Sequence, residues 1–363
     1  MLDLENLKVS FIAGTLDKGG AERQLYYILN ALVESGAQTS LFCLTRGEFW
    51  EDKIKELGVP VIWVGRHKAK SMRLLRLIAE LRKNPPDILQ SQHFYTNLYA
   101  VGAARFLGLN EVGAIRCDTK NEMRDGGPVF GPLSLRTPRV IAANSRAGIK
   151  EAEDMGIPAK RLRLLPNVID AKQFESPTRN ARGPIRIIGV GRLVEQKKFQ
   201  HFLNVIARLQ TVSTTDVRVT IVGDGPLRPQ LEKQAVDLCL KRENLQFTGA
   251  LSDMSTVYRD ADILLLTSAW EGTPNVVLEA MASGLPVVAT RVGGVSEIVS
   301  HGETGFLLDV GDEKAMVETL LQLIDDVQLR ATIGNNARQY IRCNHSPKQL
   351  PAYLREIYEL TLS

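Results

Sequence analysis

Short runs of β-branched and aliphatic residues alternate with longer segments of helical period along this chain, and that alternation restricts it to an α/β fold built on parallel sheets. In the first half the strands read as LKVSFIA, QTSLFCL, PVIWV, DILQS, GAIR and RVIAA. The second half repeats the scheme with IRIIGVG, VRVTIVG, LQFTG, DILLLTS, PVVAT and GFLLD. Helices fill the gaps: AERQLYYILNALVESG puts Leu25, Ile28, Leu29 and Leu32 on one face, with Gly36 as its stop signal. A chain of 363 residues exceeds one ordinary core, so two parallel-sheet domains follow. The polar, aperiodic stretch 171–184, which carries two prolines, is the expected linker. The expected division is a first domain over 1–175, a second over 176–345, and a helical tail over 346–363. That tail has an apolar stripe of Leu350, Tyr353, Leu354 and Ile357 that needs a surface to pack on.

Several function classes fall away on composition. No apolar run reaches the roughly 18 residues of a spanning helix, and the opening MLDLENLKVSFIAG lacks the parts of a signal peptide, so a cytoplasmic protein is expected. Cys43, Cys117, Cys239 and Cys343 lie far apart with no C-x-x-C, and the histidines do not cluster, which indicates neither disulfides nor structural zinc. A net charge of +4 is too mild for a dedicated nucleic-acid binder, yet it permits anionic ligands.

Three glycine-rich loops follow strands. GTLDKGGAE has Gly14 and Gly19 at the interval of a nucleotide-triphosphate loop, but Gly20 and Ala21 stand where Lys and Ser or Thr are needed. The stretch is either a tight turn or a pair of bare N–H groups facing an anion at a helix start. GVGRLVEQKK has Val194 in place of the third glycine of a dinucleotide fingerprint. Arg192 and Lys197 there read as a diphosphate clamp, a fork and a point charge, against the alternative of ordinary exposed cations near a helix start. IVGDGPLRPQL reads as a structural turn.

EGTPNVVLEAMASG lies between two buried strands, and ligands of open α/β sheets sit at the carboxyl ends of strands. Pro274 and Asn275 suit the first turn of a helix, which leaves the N–H groups of Asn275, Val276 and Val277 to attract phosphate. Glu279 falls four residues on, on the face of Asn275, where it can accept from a ribose diol, while Glu271 before the turn can reach the sugar end of the same diphosphate. Read without context, Glu271 is a solvated loop residue and Glu279 an ordinary helical glutamate, as any one such pair usually is.

The E-x7-E block EGTPNVVLEAMASGLPVVAT, GVGRLVEQKK and the N-terminal GGAER loop, with LLPNVID, IVGDGP and FTGAL, resemble the retaining glycosyltransferases of family four, the glycosyl transferases of group 1. The resemblance covers nearly the whole chain and implies the GT-B fold: two Rossmann-like parallel-sheet domains facing a central cleft, with a C-terminal helix crossing back to the first domain. It implies that Arg192 and Lys197 hold the donor diphosphate, Glu279 the ribose, and Glu271 the donor sugar. It further implies a phosphate and sugar cradle over Gly272, Thr273, Pro274, Asn275, Val276 and Val277, a base-holding strand end at Gly249 to Leu251, and Gly19 with Gly20 facing the donor. Three positions depart from the family pattern: Arg116 stands where many members have a histidine, Lys198 replaces a glycine after the clamp lysine, and Val168 replaces another before the linker.

Outside these motifs, His93 after DILQS is either structural or a sugar or acceptor contact, and Arg116 is the other candidate for that role. Asp260 and Asp262 mimic a metal-chelating D-x-D but close a helix and open a strand, so no metal is expected. RHKAKSMRLLRLIAELRK, residues 66–83, is either a basic helix lying on an anionic membrane or a surface helix. The expected activity is transfer of a hexosyl group from a UDP-, GDP- or ADP-sugar to a saccharide or lipid-linked saccharide hydroxyl, with retention and without cofactor, in cell-surface polysaccharide or glycolipid synthesis. The expected place is the cytoplasm, peripheral on the inner membrane face where the acceptor is lipid-linked. The alternatives are a nucleotide-sugar epimerase or phosphorylase of the same fold, and an inactive sugar-nucleotide-binding protein.

Overall fold

The structure is a computed structural model that describes residues 2–174, 183–241, 243–251 and 253–363. Most of the expected linker, and the expected boundary at 175/176, lie outside the described residues. The chain forms two compact units, one of Met1–Val168 with Pro347–Ser363 and one of Ile169–Ser346.

The first unit is built on a parallel sheet of β1 (Lys8–Ala13), β2 (Gln38–Cys43), β3 (Val61–Trp63), β4 (Ile88–Ser91), β5 (Asn110–Ile115), β6 (Val140–Ala143) and β7 (Leu162–Leu164), in the order β3-β2-β1-β4-β5-β6-β7. The second is built on β8 (Ile185–Val190), β9 (Val217–Val222), β10 (Leu245–Gly249), β11 (Ile263–Leu266), β12 (Val287–Thr290) and β13 (Phe306–Leu308), in the order β10-β9-β8-β11-β12-β13. These are two Rossmann-like sheets. The strand missing from the sequence reading is β7, whose run LRL is interrupted by Arg163 and so does not read as an apolar strand; it pairs with β6.

Parallel strands need crossovers, and the helices supply them while covering both sheet faces. Helix Gly20–Glu34 buries Leu25, Ile28, Leu29 and Leu32 against β1 and β2, and ends where the N–H groups of Gly36 and Ala37 return to the carbonyls of Val33 and Leu32. The tail helix Leu350–Leu362 belongs to the first unit. Leu350, Leu354, Ile357 and Tyr358 are buried in the same core as β1 and helix Gly20–Glu34, while Tyr353 is partly buried at its edge. The Tyr358 hydroxyl donates to Gln90 Oε1 at 2.7 Å, tying the helix to β4.

In each sheet the first strand lies between its successor and a later strand, β1 between β2 and β4, and β8 between β9 and β11. The crossovers leave in opposite directions at those points, which opens a crevice at the carboxyl ends of the two central strands. Gly19, Gly20 and His93 of the first unit, and Arg192, Lys197 and Glu271 of the second, follow those central strands.

Candidate functional site

In the second unit the chain leaves β8 through Gly191–Lys197 and leaves β11 through Thr267–Pro274. Because β8 and β11 are neighbours, the two loops run side by side and bond to one another. Ala269 N–H donates to Gln196 O at 2.8 Å, and the Thr267 hydroxyl lies 3.1 Å from both the Lys197 and Lys198 carbonyls. Lys198, where the family has glycine, takes the left-handed conformation at φ 48°. A side chain there carries a cost of about 1 kcal/mol or more.

This zipper sets Lys197 Nζ 2.5 Å from Glu271 Oε1, with only 14% of the lysine side chain and 6% of the glutamate side chain exposed. Ser268 Oγ donates to the same oxygen at 2.7 Å, and Gln196 Nε2 lies 3.4 Å from Oε2 while donating to Trp270 O at 2.9 Å. The lysine stem reaches across Gly191, where a Cβ would stand 3.2 Å from Lys197 Cε. Glu271 is held from below as well: at Gly293, φ 42°, a Cβ would stand 1.9 Å from Glu271 O, and at Gly294 2.5 Å from Gly272 O. The loop after β12 therefore packs directly under the E-G-T turn. Arg192 is exposed, and no ion pair engages its side chain among the described residues.

Helix Asn275–Ala282 begins at this turn with Pro274 as its N-cap, one position earlier than a first-turn residue. Val277 N–H donates to Pro274 O at 3.1 Å, so it is not one of the outward-facing donors that the sequence suggests; the first turn closes in the tighter i to i+3 form. Glu279, one turn in, is 3% exposed and accepts from the Tyr258 hydroxyl at 2.7 Å. Gly249 ends β10 and bridges to Gly223 after β9, with the Arg228 guanidinium 3.4 Å from where its Cβ would be; Leu251 is 38% exposed. Asp262 is occupied: its carboxylate accepts from Arg186 N–H at 2.9 Å. Among the described residues no group of three His, Cys, Asp or Glu side chains is placed to hold a metal ion.

In the first unit Gly19 caps, and Gly20 opens, the helix after β1, and a Cβ at Gly19 would stand 1.9 Å from Glu22 Oε2. Glu22 is buried beneath this turn, 3.1 Å from His93 Nε2. Gly14 N–H donates to His93 Nδ1 at 3.2 Å, which makes Nδ1 the acceptor and Nε2 the protonated nitrogen that donates to Glu22. Both ring nitrogens of His93 are thus engaged, and its ring supports Tyr95, stacked at 5.2 Å. Arg116, at the end of β5, turns inward: Nη1 donates to Leu165 O at 3.3 Å while Nε and Nη2 are buried without a hydrogen-bond partner. Burial lowers its pKa to about 10. Burial also pushes Glu122 up to about 8, against the pull of the Arg116 and Cys117 N–H groups and the Arg116 charge.

Sequence reasoning missed Gln196, Ser268, Tyr258 and the pair Gly293 and Gly294. Adjacent glycines after the strand PVVAT are the same signal that singles out Gly19 and Gly20, so RVGG was legible. Gln196 and Tyr258 act on carboxylates 75 and 21 residues away, which no local spacing reveals, whereas Ser268 stands three residues before Glu271 in the same loop.

Two family models match between them residues 18–340: Glycosyltransferase Family 4 over 18–173 and Glycosyl transferases group 1 over 170–340. The N-acetyl-alpha-D-glucosaminyl L-malate synthase of Bacillus anthracis is 27% identical over 227 residues, 60% of this chain and 59% of that protein. The GalNAc-alpha-(1->4)-GalNAc-alpha-(1->3)-diNAcBac-PP-undecaprenol alpha-1,4-N-acetyl-D-galactosaminyltransferase of Campylobacter jejuni is 27% identical over 348 residues, 93% of this chain and 94% of that one. Among solved structures, Anabaena Alr3699/HepE in complex with UDP-glucose superposes with a TM-score of 0.85 at 20% identity, over 98% of this chain and 100% of that one. At that identity the likeness shows the fold, which is GT-B.

Proposed function

The chain belongs to glycosyltransferase family 4, the glycosyl transferases of group 1, and from that premise we propose that it moves a hexosyl group from a nucleotide-diphosphate sugar to an acceptor hydroxyl with retention of configuration. The observation that carries this reading is the meeting of Lys197 and Glu271 at the β8/β11 switch point, just ahead of helix Asn275–Ala282. Arg192, Lys197 and the backbone from Gly272 to Val276 take the diphosphate; Glu271 accepts from donor-sugar hydroxyls; Glu279, oriented by Tyr258, accepts from the ribose; Gly249 and Leu251 border the base. In the transfer the bond from the anomeric carbon to the diphosphate oxygen breaks as the acceptor oxygen attacks from the same face. The acceptor proton passes to the departing phosphate oxygen. The protein's part is to stabilise the charge that gathers there, with cations and amide dipoles already in place.

These groups supply that stabilisation without a metal ion, so transfer is expected to persist in EDTA. A relative that acts on an undecaprenol-linked saccharide supports polysaccharide or glycolipid synthesis as the setting. No helix among the described residues is long and apolar enough to cross a membrane. Peripheral attachment at the inner membrane face, through the basic residues around helix Lys70–Leu81, is part of this proposal. A thermal-shift panel of UDP-, GDP- and ADP-sugars identifies the donor, because a ligand bound only by the folded state raises the melting temperature. NMR of the anomeric proton of the product then reads retention or inversion. No shift with any donor, or net epimerisation or phosphorolysis without transfer, would overturn the reading.

A further inference from the structure

Glu271 Oε1 takes donors from two different loops. The Lys197 ammonium reaches it at 2.5 Å from the loop after β8, and the Ser268 hydroxyl reaches it at 2.7 Å from three residues earlier in the loop after β11. A carboxylate oxygen has two lone pairs, so Oε1 is filled. Oε2 receives the longer contact from Gln196 Nε2 at 3.4 Å.

These donors differ in how firmly they are held. Lys197 ends in an ammonium on a flexible four-carbon stem, which can turn to a new anion without any movement of the backbone. Ser268 cannot follow it. Ser268 is wholly buried, and its carbonyl accepts from the hydroxyl of Thr290, the last residue of the neighbouring strand β12, at 2.6 Å. Gln196 is fixed likewise: its Nε2 donates to Trp270 O at 2.9 Å, and its carbonyl accepts from Ala269 N–H at 2.8 Å. One donor to the carboxylate is mobile and charged, and two are fixed and neutral. The mechanism proposed above needs the mobile one at the diphosphate. A buried carboxylate that loses its cation is strongly destabilised unless other hydrogen bonds remain to it, and the serine hydroxyl and the glutamine amide are those bonds. Departure of the lysine also frees a lone pair on Oε1.

We propose that Ser268 and Gln196 are positioning residues for a partner exchange. The diphosphate draws Lys197 off Glu271, and the serine and glutamine hold the uncovered carboxylate in place until a donor-sugar hydroxyl takes the vacated position on Oε1. The proposal deepens the glycosyltransferase reading and rests on it. It orders recognition, because Oε1 has no free lone pair for a hydroxyl until the diphosphate has taken the lysine.

A double-mutant cycle on the full chain tests the exchange. Binding of UDP, or of GDP or ADP where the thermal-shift panel selects it, is measured by calorimetry for wild type, Ser268→Ala, Glu271→Gln and the double variant. Ser268 touches no part of the nucleotide in this scheme. Ser268→Ala should nevertheless weaken nucleoside diphosphate binding about tenfold, because the exchange now leaves the carboxylate with one hydrogen bond fewer. In Glu271→Gln there is no charge to uncover, so adding Ser268→Ala should change the affinity by about twofold or less. The parent nucleoside, which cannot draw the lysine away, should bind wild type and Ser268→Ala alike. Equal losses in the two backgrounds would mean that the hydroxyl merely shapes the loop, and unchanged affinity in Ser268→Ala would mean that Lys197 stays on the carboxylate; either result overturns the proposal. Where Ser268→Ala melts well below wild type, Gln196→Leu carries the same cycle through Oε2 with the same outcomes. Failure of the wild-type chain to bind any of the three nucleoside diphosphates would instead sink the glycosyltransferase reading.

Discussion

Lys197 Nζ and Glu271 Oε1 stand 2.5 Å apart at the β8/β11 switch point, so the cation proposed to hold the donor diphosphate is already neutralised by the carboxylate proposed to hold the sugar. A buried pair of this kind strands a charge when one partner is removed, at a cost of about 3–5 kcal/mol. Lys197→Ala should therefore lower both stability and transfer, with kcat down on the order of 100-fold to 1,000-fold. Glu271→Gln has a different signature. It frees the full lysine charge, so UDP should bind as tightly as to wild type or several-fold tighter while sugar transfer collapses. Calorimetry with UDP beside a transfer assay separates the two effects; weaker UDP binding in Glu271→Gln would show that the pair assists the diphosphate rather than competing with it.

Tyr258 touches no substrate in this scheme but fixes the Glu279 carboxylate through a 2.7 Å hydrogen bond inside the core. Tyr258→Phe keeps the ring and removes the hydroxyl. A hydrogen bond to a charged group contributes roughly 1.5–3 kcal/mol, so KM for the donor should rise about tenfold or more, with kcat nearly unchanged. An unaltered KM would leave Tyr258 as core packing only.

The Glu122 carboxyl, raised to about 8 by burial, makes the first unit sensitive to pH. Its folded pKa lies above the unfolded value, so the folded state holds the proton more tightly. The resulting stability is complete below the ordinary carboxylate range and is lost as pH rises toward about 8. The melting temperature of wild type should fall between about pH 5 and pH 8.5 by more than that of Glu122→Gln, which keeps the shape and cannot titrate. Parallel pH profiles of the two proteins would show that Glu122 is not the group responsible.

The strands and helices were legible because parallel sheets bury both faces, which writes them as uninterrupted aliphatic runs such as DILLLTS and RVIAA. β7 escaped because Arg163 interrupts its short apolar run. Lys197 and Glu271 were legible as motif members, but their pairing was not, because it depends on β8 lying beside β11 across 74 residues of sequence. Arg116 and His93 show the converse limit. Both follow strands in the position of a site residue, yet Arg116 turns under Leu165 and His93 is clasped by Gly14 and Glu22, and those partners lie 49, 79 and 71 residues away in sequence.

Gly293 tests whether the donor turn is held rigidly from below. It has φ 42°, and a Cβ would meet the Glu271 carbonyl at 1.9 Å, a backbone atom that no rotamer change can move aside. Gly293→Ala should displace the E-G-T turn and abolish transfer, and cost about 1–3 kcal/mol in stability. Glycine-like activity in Gly293→Ala would mean that the turn yields freely, and with it the claim that Glu271 is preorganised.

The C-terminal helix gives the sharpest test of how stability is divided between the units. Leu354 is fully buried in the core that contains β1 and helix Gly20–Glu34, although its nearest sequence neighbours before Pro347 belong to the second unit. Leu354→Ala removes packing worth about 2–5 kcal/mol from the first unit alone. Local stability governs amide exchange, so Lys8–Ala13 and Ile88–Ser91 should exchange faster in the variant while Ile185–Val190 and Ile263–Leu266 keep their wild-type rates. Tyr358→Phe, which loses only the bond to Gln90, should move the same amides in the same direction by less. Equal acceleration in both sheets would mean that the two units unfold as one, and the helix would then stabilise the whole chain rather than the sheet it covers.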